Sequence, residues 1–305
     1  MRKVAILLLG YCRPEFTEAR LRELAGFDSR GVDFVCSVDA YEGPSQFSIL
    51  NHFLKLKEEF TNVFWFQEQK RMGLSKHMSV RISECLENYE TVIIIEDDVK
   101  THVNAIENIL TLWEKGIPES VITVGLFGFL PNLGVGIPLT QKWRRTPYFS
   151  AWGWSIDRAR WSLYDLEIVK KRGVNSVFDS SIWKKLNSEQ KKRWIHRFSK
   201  VEKNPNLTWD FQMQFTSWLY EMNHVLPVQR SCENVGFDDD RAQNTRAPKP
   251  NWYRGNLSES YFVPEILLEK SVISRALIAA DSYSWIGDRK ITDFLSFGKS
   301  DAKKA

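Results

Sequence analysis

Short apolar runs alternate with amphipathic stretches through the first half of the chain, and this alternation predicts its elements. Val4–Leu9 reads as a strand ended by Arg13-Pro14, and Glu15–Ala25 as a helix with Phe16, Ala19, Leu21 and Leu24 at helical spacing. Asp33–Val38 is the next strand. A helix is expected near Gln46–Phe60, with Phe47, Leu50, Phe53 and Leu54 on one face. Asn62–Phe66, Ser75–Leu86 and Thr91–Ile95 continue as strand, helix and strand. Strands alternating with helices imply βαβ units and a parallel sheet with right-handed crossovers. The unbroken run Val92-Ile93-Ile94-Ile95 suits a central strand covered on both faces.

The second half is less regular. Val121–Leu130 is apolar and carries glycines, and a Pro/Gly-rich loop follows from Pro131 to Pro138. Tyr148–Ile156 reads as a strand with aromatic residues at its centre. Helical patterns cover Arg158–Lys170, Ile182–Lys200 and Asp210–Asn223, and Val225–Gln229 reads as a short strand. The polar stretch from Glu233 to Asn251 reads as a long loop, a kind of segment that often carries function. One or two helices and a charged, frayed tail at Ser300–Ala305 complete the chain.

Composition narrows the function classes. With 305 residues, 43% hydrophobic and 26% charged, the chain is a soluble globular protein of one large domain or two ordinary ones. No apolar run approaches the roughly 18–20 residues needed to span a bilayer. The net charge of +4 is too mild to indicate nucleic-acid binding. The start, MRKVAILLLGY, imitates a signal peptide, but it runs into Gly-Tyr-Cys-Arg-Pro with no small-residue cleavage site, so a buried strand and a cytoplasmic location are expected. On that expectation the sequons at Asn206 and Asn256 carry no glycan. Cys12, Cys36, Cys85 and Cys232 are scattered without metal-ligand spacing and read as buried free thiols. The aromatic surplus, 12 Trp, 19 Phe and 9 Tyr, exceeds what a core usually absorbs and suggests a flat ligand.

The sharpest chemical feature is Glu96-Asp97-Asp98, directly after a predicted central strand. Ligands of open parallel sheets bind beyond the carboxyl ends of the strands. Adjacent carboxylates there repel one another and lose solvation unless a cation neutralises them. Hard oxygen donors suit Mg²⁺ or Mn²⁺ completed by phosphate oxygens. The plain alternative is an acidic helix start, capped by Asp98 or Thr101. Arg13 and Asp39 follow two other strands and share the same rim. His77, near the start of the third helix, is placed to reach it. An Asp can accept a uracil imide N–H, and an Arg can stack on a base or bond a ribose. Taken singly, the three also fit a turn former, a surface ion-pair partner and an exposed helix residue. Trp209-Asp210 opens a helical stretch, where Asp210 is either a cap or a carboxylate set apart from the triplet. Tyr148, Phe149, Trp152 and Trp154 offer a second aromatic wall, or core packing.

In their order these pieces resemble the N-acetylglucosaminyltransferase I family and, more broadly, bacterial polysaccharide glycosyltransferases of the GT-A fold. The likeness runs over roughly residues 3–240, through Arg13, Asp39, Lys76-His77, Ile94-Ile95-Glu96-Asp97-Asp98-Val99, Trp152-Gly153-Trp154, Trp209-Asp210, and Pro227 followed by Gly236. It implies a Rossmann-like, mostly parallel α/β sheet flanked by helices, with a smaller acceptor-side part and C-terminal helices. Residues 1–120 would form the nucleotide-sugar half, 121–240 the acceptor and catalytic half, and 241–305 a loop and helical extension. By the same resemblance Arg13, Asp39 and His77 would hold a uridine, Asp97 would approach the ribose, and Asp98 would bind Mn²⁺ (or Mg²⁺). Glu96 and Trp209 would contact the donor sugar, Trp152 and Trp154 the acceptor, and Asp210 would be the catalytic base of an inverting transfer.

The chain departs from the family at Phe211, where a second acidic residue is usual, and at Arg230-Ser231, where a diphosphate-binding Ser is usual. Glu233-Asn234-Val235-Gly236-Phe237-Asp238 is closer to the Asn-Ile-Gly-Phe-Asp loop of bacterial polysaccharide transferases. The implied partners are a UDP-sugar donor and a glycan or lipid-linked saccharide acceptor, with no nucleic acid. The basic, aromatic stretches Trp183–Lys200 and Arg241–Arg254 are either solvated faces or a peripheral contact with an anionic membrane at its inner face. Two other readings stay open: a sugar-nucleotide nucleotidyltransferase, which would carry a Gly-rich phosphate loop after the first strand, and a non-catalytic carbohydrate-binding protein, which would not need the acidic triplet.

Overall fold

A computed structural model of the chain describes residues 3–24, 32–41, 49, 51, 53–54, 62–128, 142–237, 239–242, 266–267 and 272–284. In chain order the first half contains β1 (Val4–Gly10), α1 (Pro14–Leu24), β2 (Val32–Val38), β3 (Val63–Gln67), α2 (Leu74–Asn88), β4 (Thr91–Glu96), β5 (Val99–Thr101), α3 (Val103–Lys115) and β6 (Val121–Gly125). The second half contains β7 (Trp143–Thr146), β8 (Trp154–Asp157), α4 (Arg158–Trp161), α5 (Ile168–Arg172), α6 (Ser181–Lys185), α7 (Ser188–Lys203), α8 (Asp210–Leu219), β9 (Asn223–Pro227), β10 (Cys232–Asn234), β11 (Ile266–Leu267) and α9 (Val272–Ser284). Among the described residues one sheet of nine strands runs β11-β7-β9-β6-β8-β4-β1-β2-β3, and β10 pairs with β5 in a separate ladder.

The α/β reading holds: β3, β2, β1 and β4 are parallel, and helices cover both faces. Strand β1 shows why its sequence is apolar throughout. Val4, Ile6 and Leu8 point into one core with Leu21, Leu24, Ile106 and Ile109, while Ala5, Leu7 and Leu9 point into another with Met78, Ile82 and Leu86. Strand β8 is antiparallel to both β4 and β6, so the sheet runs continuously from the first half of the chain into the second. A third core joins α5, α6, α7 and α8 through Val169, Trp183, Trp194, Phe198, Phe215 and Trp218. All four cysteines are free and buried. Helix α9 is fixed to β7 by a buried charge pair: Arg144 donates to both carboxylate oxygens of Asp281 at 2.5 and 2.7 Å, and the Thr146 hydroxyl adds a third bond at 2.7 Å.

Several boundaries differ from the pattern. Of the expected strand Tyr148–Ile156 only Trp154–Ile156 is strand, as part of β8; β7 ends before it at Thr146, and Gly153, in the turn between them, takes a φ of 67°. The Arg158–Lys170 pattern breaks into α4 and α5. Ile182–Lys200 breaks at Leu186, where Asn187 and Gln190 cap α7 reciprocally with bonds of 2.8 and 2.9 Å. Helix α8 stops at Leu219, and β9 starts two residues earlier than expected and ends at Pro227. Part of the expected 233–251 loop is strand β10. Neither Asp98 nor Thr101 caps α3; the His102 ring accepts the Asn104 N–H at 3.3 Å instead. Most of the expected Gln46–Phe60 helix, the 131–138 loop and the 300–305 tail lie outside the described residues, as do positions 243–251. Among the described residues no helix is long and apolar enough to cross a membrane.

Candidate functional site

Parallel register brings the strand ends level. Gly10 pairs with Val38 and Leu9 with Glu96, so the residues that follow β1, β2 and β4 leave the sheet along one rim. The ladder continues one step further, with Asp39 N–H donating to Gly10 O at 3.0 Å and Asp97 N–H to Leu9 O at 2.9 Å. Beyond this rim lies a cavity of about 270 Å³. Arg13, Asp39, His77, Glu96, Asp97, Asp98, Trp152, Trp209 and Asp210 all reach its wall; Trp154 does not.

The triplet is partly neutralised from within the chain. The Arg13 guanidinium pairs with Asp97 and lies 3.1 Å from an Asp98 oxygen. Burial opposes its charge, but the two carboxylates outweigh that and hold it protonated above its ordinary value. Asp97 also accepts the Tyr11 N–H at 3.4 Å. Burial pushes its carboxyl up to about 7; Arg13 opposes the shift and the Asp98 charge adds to it. Glu96 is raised well above the carboxylate range, first by burial and then by the charges of Asp98, Asp97 and Asp210. This is a site with more negative charge than its own cations balance. Among the described residues no three His, Cys, Asp or Glu side chains converge as a closed metal cage. Asp98, with hard oxygen donors at the cavity wall, fits a Mg²⁺- or Mn²⁺-type ion held by one or two carboxylates and completed by phosphate and water.

Asp39 and His77 are more engaged than their sequence positions suggest. Asp39 is 3% exposed and fastens the turn before α2: Ala40 and Met72 N–H donate to one oxygen at 2.9 and 2.8 Å, and Gly73 N–H to the other at 2.8 Å. Gly73, at φ 79°, supplies the left-handed step that lets the chain enter α2 there. His77 is also buried, its Nε2 2.8 Å from the Ser37 hydroxyl. Burial lowers its pKa to about 4 against the opposing charge of Asp39, so its ring is neutral at pH 7.

The opposite wall comes from α8. Asp210 opens the helix, partly exposed to the cavity, and its Oδ1 accepts the Thr208 hydroxyl and its neighbour Phe211 N–H, the latter at 3.0 Å. Burial raises its pKa, and those two bonds oppose the rise. Buried glutamines lock the helix in place. Gln212 donates to Leu166 O and Pro205 O at 3.1 and 2.6 Å, and Gln214 bridges Phe149 N–H and Pro147 O, both at 2.8 Å.

The two tryptophans of the expected acceptor wall part company. Trp152 lines the cavity, edge-on to Phe127 at 4.9 Å and Phe237 at 5.8 Å. Trp154 is fully buried and stacks on Trp209 at 5.2 Å with 17° between the planes. Its expected contact with an acceptor gives way to support of Trp209 from behind. Trp209 itself reaches the cavity wall but is only 2% exposed.

Among the lining residues that sequence reasoning did not single out are Tyr11, Arg71 and Arg241. Arg71 lies over the Tyr11 ring, 5.1 Å from its centre, and Tyr41 meets the same ring edge-on at 5.6 Å. Arg241 reaches the wall from the loop after β10 and pairs with Glu15 and Asp239. The signal for Tyr11 was its place beside Arg13 at the end of β1; Arg241 opens the basic stretch Arg241–Arg254, which pointed to a membrane or solvent rather than to the cavity.

No protein-family model matches the chain, and no curated protein does. Solved structures do. The mannosyltransferase PcManGT from Pyrobaculum calidifontis, in complex with GDP-Man and Mn²⁺, is 16% identical with a TM-score of 0.41, over 56% of this chain and 47% of that one. S. aureus TarS 1-349 in complex with UDP is 12% identical with a TM-score of 0.44, over 75% and 59%. GalNAc-T7 with UDP, GalNAc and Mn²⁺ is 10% identical with a TM-score of 0.46, over 74% and 43%. The chain thus spans about half the length of these structures.

Proposed function

We propose that the chain is a metal-dependent, inverting glycosyltransferase that moves a sugar from a UDP-sugar to a hydroxyl of a glycan or lipid-linked saccharide. One observation carries this reading. A carboxylate cluster short of positive charge and a separate carboxylate, Asp210, face the same cavity from different elements beyond the ends of parallel strands. That division suits a displacement with a leaving diphosphate at one wall and an acceptor at the other.

In this reading Asp98 is the metal ligand, and Mn²⁺ or Mg²⁺ bound there would neutralise the charge of the departing diphosphate. Arg13 holds Asp97 and Asp98 in place. Asp39 fixes the turn beside the uridine, and neutral His77 presents no charge to it. Glu96 and Trp209 border the donor sugar, and Trp152 the acceptor. Asp210 accepts the proton of the acceptor hydroxyl. That oxygen forms a bond to the anomeric carbon while the bond from carbon to diphosphate oxygen breaks, and UDP leaves with the electron pair. The passing charge on the sugar resembles that in glycoside hydrolysis. Burial that raises the proton affinity of Asp210 serves a base working near neutral pH.

A peripheral membrane contact belongs to the same proposal. The outward side of α7 exposes Lys192, His196, Lys200 and Lys203 around Ile195, a surface suited to anionic headgroups.

Calorimetry of UDP binding with and without Mn²⁺, followed by a panel of nucleotide sugars, tests the reading. Metal-dependent UDP binding and release of UDP from one donor are expected. UDP binding indifferent to metal would sink it. Pyrophosphate release from a nucleoside triphosphate and a sugar phosphate would replace it with nucleotidyl transfer.

A further inference from the structure

Helix α7 does more than shield the third core. Trp194, Phe198 and Val201 mark its buried face, and Arg197 sits at the flank that meets α8. The guanidinium carbon lies 4.9 Å from the Trp194 ring centre and 5.6 Å from the Phe211 ring centre. Those two rings meet edge-on at 6.2 Å, with 76° between their planes, so the cation is lodged in an aromatic corner between two helices. A planar cation stacked this way keeps a fixed orientation that a flexible ammonium would not. Phe211 is also the residue whose N–H donates to Asp210 Oδ1. One turn of α8 therefore carries both the platform for Arg197 and the carboxylate at the cavity.

We propose that Arg197 is a positioning residue that acts through Asp210: its guanidinium, lodged against Phe211, sets a cation beside the turn of α8 that carries the carboxylate. The importance of that carboxylate rests on the sugar-transfer reading; the coupling between the two groups does not.

The charges around Asp210 support the assignment. Glu96 faces it from the end of β4, Tyr164 from the segment after α4, Thr208 from the turn before α8, and Arg197 from α7. Burial pushes the Asp210 proton affinity up. The Thr208 and Phe211 bonds oppose that, and the Arg197 charge joins them. Burial in turn presses on the Arg197 charge, Asp210 sustains it, and Arg193 weakens it. Arg13 is committed to Asp97 and Asp98 on the other wall.

The test titrates Asp210 directly, in protein carrying carboxyl-labelled aspartate, with its ¹³C resonance identified by loss in Asp210→Asn. Arg197→Met is expected to raise the midpoint by about one pH unit, a tenfold gain in proton affinity. Arg197→Lys, which keeps the charge but loses the planar stack, should raise the midpoint by clearly less than the Met variant does. Should the Met variant fail to fold, Arg197→Gln carries the same comparison. A midpoint unmoved by loss of the charge overturns the proposal. In turnover assays with the donor that the panel identifies, the acid limb of kcat should shift by the same amount at unchanged donor KM. Absence of any sugar transfer by the wild type would refute the function while leaving the titration to decide the coupling.

Discussion

Replacing Gly236 with alanine puts a methyl group where the structure has no room for one. A Cβ built on Gly236 falls 2.6 Å from Asp98 Oδ2, 3.1 Å from Asp98 Cβ and 2.9 Å from Arg13 Nη1, against 3.4 Å or more for an ordinary contact. None of these neighbours yields easily. Arg13 holds the Asp98 carboxylate at 3.1 Å, and Val235 N–H holds the Asp98 carbonyl at 2.7 Å. Either the loop after β10 retreats or the carboxylate turns away, at a cost of about 1–3 kcal/mol for overpacking of this kind. If that cost falls on the arrangement that binds ligand, affinity drops roughly 5- to 150-fold. Calorimetric titration of Gly236→Ala with UDP in the presence of Mn²⁺ measures the loss, and a thermal melt shows that the fold survives. Gly116→Ala is the control: φ there is 95° but a Cβ would meet nothing within 4 Å, so it should lower stability and leave binding intact. Wild-type affinity in Gly236→Ala would refute the idea that the loop's close approach to Asp98 is part of the site.

Asp210→Asn should keep UDP affinity and lose turnover by several orders of magnitude, measured as UDP release; an active variant would move the base elsewhere. His224, fully buried against Thr123 and with its pKa lowered to about 3 by burial, is neutral when folded and titrates near 6.5 when unfolded. A depressed folded value contributes stability above the unfolded one and loses it as pH falls. Denaturant midpoints should thus decline from about pH 6.5 downward by up to about 1.4 kcal/mol per unit for this group, and His224→Gln should flatten that decline. Equal slopes in the two proteins would count against it. Asp281→Asn strands the buried Arg144 charge and should cost about 3–5 kcal/mol in a melt, while joint replacement of both by apolar residues should recover much of it. Neutralising Lys192, Lys200 and Lys203 should weaken sedimentation with vesicles rich in anionic lipid; unchanged sedimentation would make α7 a solvated face.

The central sheet was legible because β1 and β4 are buried on both faces, which writes an uninterrupted apolar run into each, and β2 is apolar apart from Asp33 and Ser37. The rim was legible for a related reason: in a parallel sheet the residue after each such run must emerge on the same edge. Partnerships across the rim were not. Nothing in the spacing of Arg13 and Asp97 announces that they pair, or that Asp39 spends both oxygens on a turn 33 residues further on. Aromatic density misled in two ways. It made Tyr148–Ile156 look like one strand, although Gly153 turns the chain within it. It also gave Trp152 and Trp154 the same standing, although two residues apart along the chain they end in a cavity wall and a sealed core. Strands β5 and β10 were too short for any periodicity to mark.

That short ladder bears on how the protein comes to fold. Thr101 and Ser231, joined by a hydrogen bond of 3.2 Å where β5 meets β10, stand 130 residues apart, and Val235 closes on the carbonyl of Asp98 beside them. Strands β1 to β4 come from the first third of the chain and can find one another early. The carboxylate rim gains its second side only after about three-quarters of these 305 residues have been synthesised and the chain has returned to it. Closing so large a loop is slow, because its entropy is lost before any contact compensates. A nascent or truncated chain ending before β10 would hold a sheet with its acidic edge open to water. Competence to bind would then emerge among the last events of folding, well after the sheet has formed.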